Sequence, residues 1–384
     1  MRFRDALSAP GFGAIAEFKR RSPSAGDLRP DGDVVATARA YEGAGARAMS
    51  VLVDERFGGS WDDLRAARAA TAIPLLAKGF FSTPEHLRTA REAGADAALL
   101  ILRDLDDATC TALMAEAGRI GLDTLVEAHD PDELRRAESL DAPVIGVNAR
   151  DLSTFAIDRG AQLRLVAAAP RDRVVVAESA IATRAQGAAA ELAGANAILV
   201  GSTLMRAADP GAKLAELVSR PLVKVCGLTR QEDVDVAVEA GADLVGFIFV
   251  EDSPRRAGAL LDAPETVLRV AVFVGDREET GADLVQLYPQ QDGAVRGRDA
   301  ALLRDEERVG TVVDLPWLEG DATHLDRARA TAGRVMLAGG LGPENVRAAV
   351  DAVSPWAVDS ARSTEREPGV KDHDKVREWI GATR

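Results

Sequence analysis

Cysteine is scarce in this 384-residue chain: only Cys110 and Cys226 occur, in unrelated contexts. That excludes a small fold stapled by disulfides and points to a reduced, cytoplasmic protein. Long apolar runs are missing too. None approaches the roughly 18 residues that a membrane span needs. The opening stretch MRFRDALSAPGFG lacks the apolar core of a secretory signal. Histidine is sparse: His86, His129, His324 and His373 are scattered without ligand spacing, so no metal is expected. No glycine-rich dinucleotide fingerprint follows any strand-like run, and no cofactor is expected. Basic charge is in deficit. A formal net charge of −14 argues against a general nucleic-acid binder, which would carry a basic face. It leaves an anionic small substrate open, because surface charge is screened over about 8 Å and the lining of a pocket decides.

What is present is globular: 47% of residues are hydrophobic, and the 28% that are charged are too few for a disordered polyelectrolyte. One phrase recurs along the chain, a helix-like stretch followed by Gly-Ala, a small or polar residue and an apolar strand. Gly45-Ala46-Arg47 precedes AMSVLV, Gly94-Ala95-Asp96 precedes AALLIL, Gly194-Ala195-Asn196 precedes AILVG and Gly241-Ala242-Asp243 precedes LVGFIF. Glycine just past a helix end adopts the left-handed conformation that closes the helix. The strands that follow do not alternate, as expected of parallel strands buried on both faces.

Eight strands are expected in the first half: Ala14–Phe18, Ala48–Val53, Ile73–Ala77, Ala97–Ile101, Asp123–Val126, Val144–Val147, Val174–Ala177 and Ala197–Val200. Eight strands with intervening helices in about 200 residues fit a closed (β/α)8 barrel better than an open sheet. A second series starts at Leu222, after Ser219-Arg220-Pro221: Leu222–Val225, Leu244–Phe249, Val270–Val274, Leu284–Leu287, Thr311–Val313, Val335–Ala338 and Trp356–Val358, with a weak candidate at Ala294-Val295-Arg296. The expected architecture is α/β, two fused (β/α)8 TIM barrels over residues 1–219 and 220–384. The second is trimmed, because its helices three and four look shortened or lost.

Barrel strands should stay apolar up to the C-terminal rim, where active sites of this fold are built. The first half breaks that rule repeatedly. AIAEFKRRSPS places Glu17 and Lys19 two apart, on one face. LLAKGF delivers Lys78, LVEAHD Glu127, VIGVNAR Asn148 and Arg150, VVVAES Glu178 and Ser179, and ILVGS Gly201 and Ser202. One such residue is as readily a structural ion pair at the rim. Polar groups from six strand ends are not, since lysines buried beside carboxylates cost several kcal/mol unless paired. Alternating lysines and carboxylates in a dry cavity hold one acid and one base near neutral pH. Ser179-Ala180 and Gly201-Ser202 follow strands seven and eight, where barrels bind phosphate with backbone N–H groups. Together this is machinery for carbonyl chemistry on a sugar phosphate. His129 shares the parity of Glu127, but a direct role for it is only a minor expectation.

These segments resemble the indole-3-glycerol-phosphate synthase family over roughly residues 3–218, through AIAEFKRRSPSAG, LLAKGF, LVEAHDPDEL, VIGVNARDLSTFAID and VAESAI. The resemblance implies that Lys78 is the general acid of ring closure and Glu127 its acid/base partner in dehydration. Glu17 and Lys19 would hold and polarise the substrate. Ser22, Asn148, Arg150, Glu178 and Ser179 would bind it, and Ala180, Gly201 and Ser202 would hold its phosphate. The implied substrate is carboxyphenylamino-deoxyribulose phosphate. Three departures stand out: a family N-terminal lid is shortened to about a dozen residues before strand one, Lys-Asp-Phe reads Lys78-Gly79-Phe80, and Glu-Ser-Gly reads Glu178-Ser179-Ala180.

The second half resembles phosphoribosylanthranilate isomerase, through VKVCGLTRQED, GFIFVEDSPRRAG, LAGGLGPENV and EPGVKD. By that resemblance Cys226 is the base and Asp314 the acid of an Amadori rearrangement, Arg255 and Asp359 bind substrate, and Gly339-Gly340 bind phosphate. On its own Cys226 would read as a buried structural thiol. Departures are heavier here: Gln-Leu-His-Gly is Gln286-Leu287-Tyr288-Pro289, LPWLEGDATHLD replaces a glycine-rich loop, and Asp359-Ser360-Ala361-Arg362-Ser363 stands for the last phosphate loop. The alternatives are synthase activity with a non-catalytic C-terminal packing module, or another sugar-phosphate barrel, which would lack the Glu17–Lys19, Lys78, Glu127 set. The expected partners are small sugar phosphates, not nucleic acid or membrane, and a fused pair of barrels is expected to be a monomer.

Overall fold

The computed structural model describes residues 2–22, 26–151, 154, 156–290, 299–315 and 323–384. The chain divides into two compact units, Met1–Ala182 with Gly187–Val218, and Thr183–Gln186 with Ser219–Arg384.

The first unit is a closed barrel of eight parallel strands in sequential order: β1 Gly13–Phe18, β2 Ala48–Leu52, β3 Leu75–Lys78, β4 Ala97–Ile101, β5 Asp123–Ala128, β6 Val144–Asn148, β7 Val174–Glu178 and β8 Ala197–Val200. Alternation divides each strand between two apolar layers. Ile15, Leu76, Leu99, Leu125, Val176 and Leu199 fall in one buried cluster with Phe3 and Leu7 of the N-terminal helix Phe3–Leu7. The residues between them, such as Ala16, Ala77, Leu100, Val126 and Ala177, pack with the surrounding helices in another. The helices begin where the sequence provides caps: the side chains of Asp33, Ser60, Asp106, Asp130 and Asp158 each accept a first-turn N–H, and Pro84 and Pro131 open their helices.

The second unit also closes eight strands into a barrel: β9 Leu222–Val225, β10 Leu244–Ile248, β11 Leu268–Val274, β12 Leu284–Tyr288, β13 Asp299–Arg304, β14 Glu307–Val313, β15 Val335–Leu337 and β16 Ala357–Ser360. Here the structure corrects the expectation of a uniformly parallel barrel. β13 runs antiparallel to both β12 and β14. The weak strand candidate Ala294–Arg296 lies outside the described residues. The true fifth strand buries only Ala300 and Leu302 fully, so it has no continuous apolar run to betray it. Reversal makes the missing helix possible. Parallel neighbours need a crossover of a dozen or more residues, whereas β13 and β14 are joined by Asp305-Glu306 with Asp305 left-handed at φ +53°. Among the described residues, helices follow only β9, β14, β15 and β16 (Gln231–Ala240, His324–Ala330, Val346–Val353 and His373–Thr383), so the trimming reaches further than helices three and four. No helix is long and apolar enough to cross a membrane.

Candidate active sites

In four strands of the first barrel the inward column is apolar below and polar at the top: Ile15 then Glu17, Leu76 then Lys78, Leu125 then Glu127, Val176 then Glu178. Barrel closure aims these tops at one point. Lys78 Nζ lies 2.7 Å from Glu178 Oε2, 3.6 Å from Glu17 Oε2 and 3.8 Å from Glu127 Oε2. Lys19 pairs with the other oxygen of Glu17. The three glutamate side chains are at most 3% exposed, so these contacts act in low dielectric. Two glycines make the room: a methyl on Gly146 would overlap Glu178 Oε1, and one on Gly201 would overlap Glu17 Oε1.

Burial pushes every carboxyl here up, and the neighbours decide where each ends. For Glu17 the charges of Lys19 and Lys78 outweigh burial and hold it below the usual range. For Glu127 the His129 contact and Lys78 do the same. Glu178 goes the other way: burial and the Glu127 charge overcome Lys78, and its carboxyl is pushed up to about 8. Burial disfavours the Lys78 ammonium, yet Glu178, Glu17 and Glu127 together raise its pKa well above an ordinary lysine's. The cluster therefore holds, at neutral pH, two ionised glutamates, a protonated one and a permanent ammonium.

His129 faces the rim beside Glu127, as its parity implies, and is drawn into this cluster. Its Nε2 is 3.1 Å from Glu127 Oε1 and its Nδ1 is 2.9 Å from Glu133 Oε2. Burial opposes its charge, but the two carboxylates prevail and lift it to about 10. The missed signal was the His129–Glu133 spacing of four, which brings Glu133 of the helix Pro131–Ser139 back over the strand end. Gln162 was missed as well: from the helix Arg159–Ala168 its buried amide donates to the carbonyls of Val147 and Glu178, tying the ends of β6 and β7 together.

The remaining first-barrel candidates lie around this centre. Ser22 is buried in the short hairpin Arg21–Ser22/Gly26–Asp27 after β1. Asn148 ends β6 and its side-chain oxygen accepts the Arg150 N–H, while Arg150 forms a bridge to Ile157. Gly201 and Ser202 open the short helix Ser202–Arg206. Ser179 and Ala180 both adopt left-handed backbone, at φ +72° and +55°. Without a glycine there, Ala180 carries strain on the order of 1–2 kcal/mol. Ala180→Gly is expected to raise stability by roughly 0.5–1 kcal/mol, since glycine's greater freedom in the unfolded chain offsets part of the relief. Urea unfolding measures it, and an unchanged or lower midpoint would refute the strain argument.

The second barrel encloses a cavity of about 300 Å³ lined by Cys226, Arg255, Gln286, Tyr288, Asp314, Gly339, Gly340 and Asp359, among others. All six of its candidate residues therefore share one cavity. Cys226 is buried at the top of β9, and Gly246 opposite leaves space for it, since a methyl there would meet Sγ at 2.7 Å. Arg255 is held by a bidentate pair with Glu365, at 2.8 and 2.7 Å. A polar layer unforeseen in the sequence lies within the barrel: Lys224 Nζ donates to Gln286 Oε1 at 2.6 Å and to Asp359 Oδ2 at 2.9 Å. Lys224 sits two residues before Cys226, on the same inward face, which was the available clue. Burial raises the Cys226 thiol, with Lys224 opposing it. Burial likewise lifts Asp314 to about 6 against the hydrogen bond from Tyr288.

Strand-end lysines and carboxylates converging in one closed barrel, with a thiol and an acid facing one cavity in another, define an enzyme of the (β/α)8 class equipped for proton transfer. Comparison with known proteins makes this particular. The family model described as indole-3-glycerol phosphate synthase matches residues 1–217, and the chain belongs to that family. Its second unit carries a further family domain, N-(5'phosphoribosyl)anthranilate (PRA) isomerase, matched over residues 284–382. Curated relatives include indole-3-glycerol phosphate synthase of Mycobacterium ulcerans, 46% identical over 215 residues that cover 56% of this chain and 79% of the relative. Another is that of Opitutus terrae, 45% identical over 226 residues, covering 57% and 85%. Among solved structures, phosphoribosyl anthranilate isomerase from Thermotoga maritima is 26% identical, with a TM-score of 0.34, covering 43% of this chain and 98% of that one.

Proposed function

We propose that the first barrel closes carboxyphenylamino-deoxyribulose 5-phosphate to indole-3-glycerol phosphate with loss of carbon dioxide and water, and that the second isomerises phosphoribosylanthranilate to that substrate. Both are steps of tryptophan biosynthesis, and the two family domains in one chain support the pairing. The functional domains proposed are residues 1–219 and 220–384. The observation that carries the synthase reading is the Lys78 ammonium held within 3.8 Å of three buried glutamates.

In the first site Lys78 donates a proton to the substrate carbonyl as the ring closes. Glu127, kept ionised, and Glu178, kept protonated, form the base and acid that expelling water from the ring-closed intermediate requires. Lys19 and Glu17 hold the reacting end. Ser22, Asn148, Arg150 and Ser179 bind the substrate, and Ala180, Gly201 and Ser202 present backbone to the phosphate. In the second site Cys226 takes the proton beside the developing imine and Asp314 protonates the ring oxygen as the furanose opens. Arg255 and Asp359 bind the substrate, with Gly339 and Gly340 at its phosphate. The enzyme is proposed to act in the cytoplasm, as a monomer, on small phosphorylated sugars.

The synthase pH profile tests the assignment of the acid. A group that must stay protonated gives an activity lost as pH rises through its pKa. Glu178 therefore sets an alkaline limb of kcat/KM near pH 8, and Lys78 stays charged throughout. Glu178→Gln should displace that limb to higher pH. A limb left in place by this substitution rules out Glu178 as its source. Assaying the purified protein for consumption of phosphoribosylanthranilate tests the isomerase reading directly.

A further inference from the structure

One buried chain of polar contacts in the second cavity ends on the acid just assigned, and its other members have no part in the steps above. Lys224 Nζ donates to Gln286 Oε1 at 2.6 Å, Gln286 Nε2 donates to the Tyr288 hydroxyl at 2.8 Å, and that hydroxyl donates to Asp314 Oδ2 at 2.7 Å. The direction of the chain is forced. A lysine ammonium can only donate, so the Gln286 amide must turn its oxygen to Lys224 and its NH2 to Tyr288. The Tyr288 oxygen is then an acceptor on that side, and its single proton has one destination, Asp314.

We infer that Tyr288 is a positioning residue for the isomerase: it occupies Oδ2 of Asp314 and leaves Oδ1 as the oxygen that carries the catalytic proton. Three observations agree with this. Oδ1 lies beside Gly339 in the cavity wall, close enough that a methyl on Gly339 would overlap it. Gly339 is left-handed, at φ +83°, which keeps a side chain out of that position. The phenol is buried and its pKa is raised well above the usual value, first by burial and then by Asp314, so it remains a neutral donor across the working range. A tyrosine at this place, where the resembling family reads histidine, thus preserves a donor to the acid.

This role rests on the isomerase reading. Groups that bear on the titration of Asp314 are Tyr288 from β12, Asp359 from β16, the Leu315 N–H and Lys224 from β9, and Cys226, Arg255, Glu344 and Arg362 share its cavity. Arg327 binds its main-chain carbonyl at 3.1 Å. Cys226 gives up its proton at higher pH than Asp314, so the acid-side limb of the isomerase profile, near pH 6, belongs to Asp314. Tyr288→Phe deletes one O–H and retains the ring. It is expected to lower isomerase kcat about 10- to 100-fold with KM little changed. It should also move the acid-side limb to higher pH, because a carboxylate that loses a donor is less stable relative to its acid. Tyr288→His, which restores an N–H donor, is expected to recover most of kcat and return the limb. A wild type without isomerase activity would overturn the isomerase reading and this role together. A wild type that isomerises, with a Tyr288→Phe variant whose kcat and acid-side limb both stay in place, would overturn the role alone. So would a loss of kcat that histidine does not rescue and that leaves the limb unmoved.

Discussion

Replacing Lys78 by alanine is expected to cut synthase turnover by about 10²-fold or more, the scale of removing a positioned acid. The geometry makes the effect twofold. The substitution deletes the proton donor itself, and it also removes the cation that Glu17, Glu127 and Glu178 share. Without it all three carboxyls shift upward, and Glu17 and Glu127 are held ionised less firmly. Removing one partner from a buried charge cluster typically costs about 3–5 kcal/mol, so a lower unfolding midpoint should accompany the loss of rate. Arginine should not rescue the activity, because a planar guanidinium cannot occupy the point toward which three carboxylates are aimed. Formation of indole-3-glycerol phosphate, followed beside circular dichroism of the same preparation, separates chemistry from folding. A folded Lys78→Ala variant turning over at the wild-type rate would remove Lys78 from the mechanism.

Cys226→Ala should abolish phosphoribosylanthranilate consumption while the synthase rate of the same protein is retained, because the thiol lies in the second barrel's cavity. The thiol is the base the cavity offers at the top of β9, and alanine conserves packing while leaving no group to take the proton. Cys226→Ser is expected to be nearly as inactive, since a buried hydroxyl ionises far less readily than a thiol. The thiol itself is not primed, for burial raises its pKa even with Lys224 beside it. With the base titrating above the acid, isomerase activity should level off above the Asp314 pKa near 6 and fall only as the thiol itself ionises. Residual isomerisation by Cys226→Ala at more than a tenth of the wild-type rate would show that another group is the base.

Much of the first site is legible in the chain because alternation along a strand is a local property. Once Ala14–Phe18 reads as a strand, Glu17 and Lys19 must share a face, and the same reasoning lines up Lys78, Glu127 and Glu178 at their strand tops. The contacts of His129 are less legible, because one of them is to Glu133, which the turn into the next helix brings back over it. The contacts that link Lys224, Gln286 and Tyr288 are hidden for a different reason. The chain they form joins β9 to β12 across the barrel interior, with a separation of 62 residues in sequence between Lys224 and Gln286, so nothing local to either strand announces it. The antiparallel β13 was hidden by its half-buried pattern, and the helices missing after β10 and β11 could be judged only once the second barrel was seen closed.

The repeated strand–helix grammar, the parity of the polar strand ends and the break near Ser219-Arg220-Pro221 are local facts of the chain, since each follows from side-chain alternation and turn chemistry within a few residues. Which charges meet, and which protonation state each adopts, depends on the folded barrel. Those depend on distances between strands far apart in the chain and on the exclusion of water from between them, and closure of the barrel sets both.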